Sequence, residues 1–180
     1  WSQLGSDIDG EAVDDYSGDS VSISSDGTRV AIGAYGNDGN GMNAGHVRIY
    51  ELSGGTWSQL GSDIDGEAVD DYSGMSVSLS SDGTRVAIGA HYNDGSVALS
   101  NRGHVRVYEW NDGTTSWDKL GSDIDGEAAS DFSGQSVSLS SDGTRVAIGA
   151  IGNDGTGASD AGHVRVYDLT DGAWVQAGSD

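Results

Sequence analysis

Residues 57–90 read WSQLGSDIDGEAVDDYSGMSVSLSSDGTRVAIGA, and this stretch occurs three times. Residues 1–34 read WSQLGSDIDGEAVDDYSGDSVSISSDGTRVAIGA, and residues 117–150 read WDKLGSDIDGEAASDFSGQSVSLSSDGTRVAIGA. The three are equal in length. Each is followed by a looser Gly-rich loop and then by Gly-His-Val-Arg-(Ile/Val)-Tyr. Self-similarity at a near-constant period is the signature of a repeat architecture, so the repeat sets the frame for every other reading.

Inside one repeat the apolar pattern has period two. Ser20–Ser24 alternates Ser with Val21 and Ile23, which predicts a half-buried strand. Ser25-Asp26-Gly27-Thr28 carries a hairpin-turn signal. Arg29–Ala34 puts Val30 and Ile32 on one face and the small Ala31 and Gly33 on the other. Small residues there predict close approach of a neighbouring sheet or backbone. Gly45–Leu52 alternates again, and Thr56–Leu60 adds a strand carrying Trp57. Each unit therefore offers four short antiparallel strands, and no segment has helical periodicity. One such sheet cannot bury its face alone, so the units must stack. The fold class is all-β, three tandem four-stranded propeller-like blades. A threefold β-prism or trefoil-like closure is the alternative.

The repeats run 1–56, 57–116 and 117–173. Residues 174–180 are a worn copy of the opening WSQLGSD. There are thus three strand sets but four Trp strands. Either residues 174–180 begin a fourth repeat, or the spare strand, marked by Trp1, Leu4 and Trp174, pairs with a neighbouring molecule.

Composition narrows the classes. A net charge of −21 with only eight basic residues excludes binding of nucleic acid by bulk charge. No run of about 18 apolar residues is present, so no helical membrane span is expected. Cysteine is absent, which removes disulfides and thiolate metal sites. Gly at 30 of 180 residues fits many tight turns. Leu, Ile, Val and Phe are scarce for a globular chain, but their order by period argues against disorder.

Tyr16-Ser17-Gly18 with Ile32-Gly33-Ala34, and above all Phe132-Ser133-Gly134 with Ile148-Gly149-Ala150, resemble FG-GAP-type repeats. The resemblance covers the whole chain. It implies propeller blades of four strands and an extracellular or cell-surface setting. The chain departs from that pattern where Tyr35, His91 and Ile151 replace the proline. The family's calcium loop is not reproduced either: Asp7-Ile8-Asp9-Gly10-Glu11 stands instead.

Three sets of residues are candidates for function. Asp7, Asp9, Glu11 and Asp15 recur as Asp63, Asp65, Glu67 and Asp71 and as Asp123, Asp125, Glu127 and Asp131. Clustered carboxylates beside a glycine can supply the hard oxygens calcium needs, so calcium is a candidate cofactor, and the sequence establishes none. The alternative is a solvated connection whose carboxylates cap turns or pair with arginines. His46, His104 and His163 share one repeat position, where a threefold arrangement could bring three imidazoles together on zinc; a strand-edge histidine that stacks or hydrogen-bonds locally is the simpler reading. Finally, the repeats differ mainly at Asp19/Met75/Gln135, at Tyr35/His91/Ile151 and in loops 36–44, 92–102 and 152–161. Variable loops on a rigid scaffold carry contacts. No nucleophile elbow or differentiated acid pair appears, so no enzyme is expected. The expected role is a structural repeat of an extracellular surface fibre or adhesin that self-associates. A calcium- or glycan-binding module is the alternative.

Overall fold

The computed structural model describes residues 1–95, 100–155 and 158–179. Residues 96–99 and 156–157 of the variable loops, and Asp180, lie outside the described residues. The chain is all-β. The first sheet holds β1 (Ser20–Ile23), β2 (Arg29–Ala34), β3 (His46–Ser53) and β4 (Thr56–Gln59), antiparallel in that order, with the two-residue β5 (Ile64–Asp65) added to β3. The second repeats this with β6 (Ser76–Leu79), β7 (Arg85–Ala90), β8 (His104–Asn111), β9 (Ser116–Lys119) and β10 (Ile124–Asp125). The third holds β11 (Ser133–Leu139), β12 (Arg145–Ala150), β13 (His163–Thr170) and β14 (Ala173–Gln176). The three sheets are propeller-like blades and do not close into a ring.

Sequence repeats and sheets are out of phase. Trp57 opens the second repeat, yet β4 is the outer strand of the first blade, with Leu52 opposite Trp57. Trp117 and Trp174 close the second and third blades in the same way. Three of the four Trp segments are thereby used. Trp1 and Leu4 are exposed and lie outside any strand. Each closing indole donates to a carbonyl of the preceding linker: Trp57 to Leu4 at 3.0 Å, Trp117 to Leu60 at 2.9 Å and Trp174 to Leu120 at 2.9 Å.

The turn at Asp26 shows why Ser-Asp-Gly-Thr makes a hairpin. Asp26 Oδ1 accepts from Ser24 Oγ (2.7 Å), Thr28 N (3.0 Å) and Thr28 Oγ1 (2.8 Å). Gly27 takes the left-handed conformation at φ +72°. The same set recurs around Asp82 and Asp142, and at Asp142 these bonds hold the carboxyl down at about 2.

Period-two patterning gives every blade two unlike faces. The bulky face of the second blade carries Val77, Leu79, Val86, Ile88 and Tyr108. It packs on the small face of the first blade, which carries Ala31, Val47 and Ile49. The small face of the second blade (Ala87, Val105, Val107) in turn takes the bulky face of the third, with Val137, Leu139, Val146, Ile148 and Tyr167. The expected close approach at the Gly-Ala strand is present. A Cβ on Gly33 would lie 2.0 Å from the Gly74 carbonyl oxygen, and one on Gly89 2.0 Å from that of Gly134. Serines of the inner strands stitch this joint. Ser20 and Ser76 donate to the carbonyls of Gly74 and Gly134, both at 2.7 Å. Ser22 and Ser78 accept from Leu79 N and Leu139 N, both at 2.9 Å.

Candidate functional site

The acidic residues do not act as one group. Asp15, Asp71 and Asp131 are buried. Each accepts the side-chain amide of an asparagine 22 residues on: Asn37 at 3.0 Å, Asn93 at 2.9 Å and Asn153 at 3.2 Å. Each also accepts a backbone N–H three residues back, from Ala12, Ala68 and Ala128. Burial pushes the Asp71 carboxyl up, and the bonds from Asn93 and Ala68 oppose that shift. Asp9, Asp65 and Asp125 enter through the backbone, where their carbonyls accept from Arg48, Arg106 and Arg165 at 2.9, 3.0 and 2.9 Å. Those arginines lie over Tyr50, Tyr108 and Tyr167, 5.6 to 5.8 Å from the ring centres. Asp7 accepts from Gln3 and Asp63 from Gln59.

Glu11 is the exception. Its carboxylate faces Arg48 on one oxygen, at 3.4 Å, and the His46 imidazole on the other, at 3.9 Å. Glu67 repeats this with Arg106 and His104, and Glu127 with Arg165 and His163. The three histidines thus sit in separate blades, each against its own glutamate. Sequence reasoning weighed the acids and the histidines apart. Their shared period was the signal that could have joined them.

Two of the variable positions, Tyr35 and His91, lie in a row of aromatic rings. Tyr16 stacks on Tyr35 at 5.0 Å, Tyr35 approaches Tyr72, and Tyr72 meets Tyr92 edge-on at 5.2 Å. His91 and Phe132 flank Tyr92 at 4.1 and 5.4 Å. Burial holds the His91 imidazole down at about 4. Asp19 and Ile151 are exposed, while Met75 and Gln135 are half-buried at the starts of the inner strands. Tyr35 and His91 belong to the aromatic row. Tyr16 and Phe132 of the FG-GAP-like motifs and Tyr92 of loop 92–102 extend it, together with Tyr72, which the sequence reading did not single out.

Residues 7–50 match the model of the FG-GAP repeat family. No curated protein matches the sequence. Among solved structures the chain is similar to Saccharomyces cerevisiae Sqt1, with a TM-score of 0.54 at 14% identity over 89% of this chain and 34% of that one. It is also similar to provisionally assigned 6-phosphogluconolactonases from Bacteroides uniformis (TM-score 0.53, 13% identity, 88% of this chain and 39% of that one) and Bacteroides fragilis (0.54, 11%, 87% and 36%). The chain spans only about a third to two fifths of these proteins, and at such identities the likeness shows the fold alone. It corrects one expectation. The sequence reading excludes an enzyme, but two structures of this fold carry an enzyme's name, so that exclusion does not stand. Residues 7–50 thus resemble an FG-GAP repeat, and closely similar sequence recurs at residues 63–108 and 123–167.

Proposed function

We propose that the chain is a propeller module of an extracellular surface fibre or adhesin that associates with further chains of its own kind, bulky face on small face. One observation carries the reading: the two faces that pack together twice inside the molecule are both left open at its ends. On the first blade Val21 and Ile23 are 63% and 60% exposed, whereas their counterparts Val77 and Leu79 are 9% and 7%. On the third blade Val164 is 68% exposed, whereas its counterparts Val47 and Val105 are fully buried. Glu127, Asp131, His163 and Val164 line a cleft of about 590 Å³ on that open face. At the same place in the inner blades sit Ser73-Gly74 and Ser133-Gly134, bridged to Gly45 and Gly103. Ser17-Gly18 of a second chain has the same sequence and suits the cleft.

Such a contact joins unlike surfaces. It closes a ring if the rotation allows and otherwise builds a filament. Two chains would bring six blades, within the roughly 4 to 8 of known propellers. The extracellular setting rests on the FG-GAP match. The test is sedimentation velocity over a range of concentrations. The expected result is a concentration-dependent species of at least twice the chain mass. Val21→Glu and Val164→Glu should each abolish it, and mixing the two variants should restore one interface, because each keeps the face the other lacks. A monomer at all concentrations, or variants that do not rescue one another, would sink the proposal.

The aromatic row favours glycan binding as a second reading, since sugar faces stack on exposed rings such as Tyr16 and Tyr92.

A further inference from the structure

Two clusters of metal-ligating side chains lie outside the apolar clusters between the blades. Glu11, His46 and Asp63 each bring one ligand atom within 4.8 Å of the others, and Glu67, His104 and Asp123 do the same. In each cluster the glutamate comes from the linker before a blade, the histidine from its third strand and the aspartate from the linker after it.

The imidazoles point to a ligand. His46 and His104 are 1% and 2% exposed. Their Nε2 atoms have no hydrogen-bond partner. Their Nδ1 atoms lie 3.9 and 4.0 Å from the Oε2 atoms of Glu11 and Glu67, too far for a hydrogen bond. A buried imidazole without a hydrogen bond is costly, and it lies beside two carboxylates that a cation would join to it.

The carboxylates are oriented from behind, as metal ligands commonly are. Arg48 takes Oε1 of Glu11 at 3.4 Å and Arg106 takes Oε1 of Glu67 at 3.2 Å, leaving each Oε2 toward the histidine. Gln59 donates to Oδ1 of Asp63 at 2.6 Å, and Lys119 to Oδ1 of Asp123 at 3.0 Å.

We propose that Glu11–His46–Asp63 and Glu67–His104–Asp123 are two equivalent sites for a divalent transition-metal ion, with zinc as the matching chemistry. One imidazole and two carboxylates suit zinc, which takes nitrogen and oxygen ligands at about 2.0–2.2 Å and leaves a fourth position for water. Calcium asks for six to eight oxygens, which three side chains do not supply. The exposed glutamates can close the remaining distance. A bound ion would tie both linkers to the blade between them. In the sequence Asp180 corresponds to Asp63 and Asp123, and it lies outside the described residues.

The proposal does not rest on self-association. The test uses the full chain stripped with EDTA and titrated calorimetrically with Zn²⁺ alone, with melting followed in Zn²⁺, Mn²⁺ and Ca²⁺. The expected result is binding of at least two equivalents and a Tm raised by at least about 5 °C at hundredfold excess over Kd. Asp63→Asn and Asp123→Asn should each remove one equivalent, as should His104→Gln. The aspartates are half-buried linker residues outside the apolar clusters, so their variants keep the test sound if the histidine variant fails to fold. With Co²⁺ as probe, the ligand-field spectrum should change when the histidine is replaced. Absence of Zn²⁺ binding, unchanged stoichiometry in the double aspartate variant, or an equal response to Ca²⁺ would each overturn the proposal.

Discussion

At the scale of single residues, Asp71 shows how an acid can be misread. Its spacing from Asp63, Asp65 and Glu67 suggests a calcium ligand. In the fold it is buried and accepts from Asn93 and Ala68. Asp71→Ala would leave the Asn93 amide and the Ala68 N–H without the one oxygen they share, and leaving buried polar groups unmatched costs about 1–3 kcal/mol. For a chain of this size the Tm should fall by roughly 2–10 °C, read by thermal melting. The constant 22-residue interval from Asp to Asn was legible in the sequence. The backbone that makes the bond was not: Asp70 and Tyr72, on either side, take left-handed conformations at φ 62° and 55°, a choice no residue-type preference favours for tyrosine. His91 gives a second prediction. Its folded pKa, about 4, lies below its ordinary 6.5, so the unfolded chain binds the proton first. Its contribution is fully present above pH 6.5 and is lost as pH falls toward 4. His91→Tyr, the residue type of the first repeat, should flatten that part of the Tm-against-pH curve relative to the parent chain.

At the scale of elements, each strand reads two ways because it has two faces. The bulky face was plain from Val, Ile and Leu at alternate positions, and the turns from Asp-Gly. The role of the alternating serines was not, because a serine facing water and one facing the next blade look alike in sequence. Only stacking shows that Ser20 and Ser76 bond to the carbonyls of Gly74 and Gly134. The Gly-Ala strand supplies a graded test. In Gly89→Ala the new Cβ would meet the Gly134 backbone at 2.0 Å, so the blades must part, and a loss above about 3 kcal/mol is expected in denaturant melts. In Gly149→Ala it meets only Ser136 Oγ, at 2.4 Å, which a rotamer change can relieve. That variant should keep its fold and lose self-association, seen as a normal melt with a monomeric sedimentation profile.

At the scale of the whole molecule, the sequence predicts the blade number and the all-β class. Counting Trp segments also showed that the unit has unmatched ends, but it located them at strands. In the structure the three later Trp segments all close sheets, and Val21, Ile23 and Val164 are exposed on the faces of the first and third blades. Charge should govern how those ends meet. With a net charge of −21, two chains repel at low ionic strength. Raising salt from 0.01 to 0.15 M shortens the Debye length from about 30 to about 8 Å. Self-association should therefore strengthen across that range, where a salt-bridged interface would weaken, and sedimentation at fixed concentration distinguishes the two.

The offset between sequence repeats and sheets also bears on how such a chain can change length. Joining Thr56 directly to Trp117 removes residues 57–116, yet it hands the first blade a Trp strand of the same kind and leaves the third blade untouched. The inverse event inserts a whole blade between two that already fit it. Unequal recombination anywhere within the repeated sequence thus alters the number of blades without creating a joint the protein has not already made, so copy number can drift while every contact stays the same.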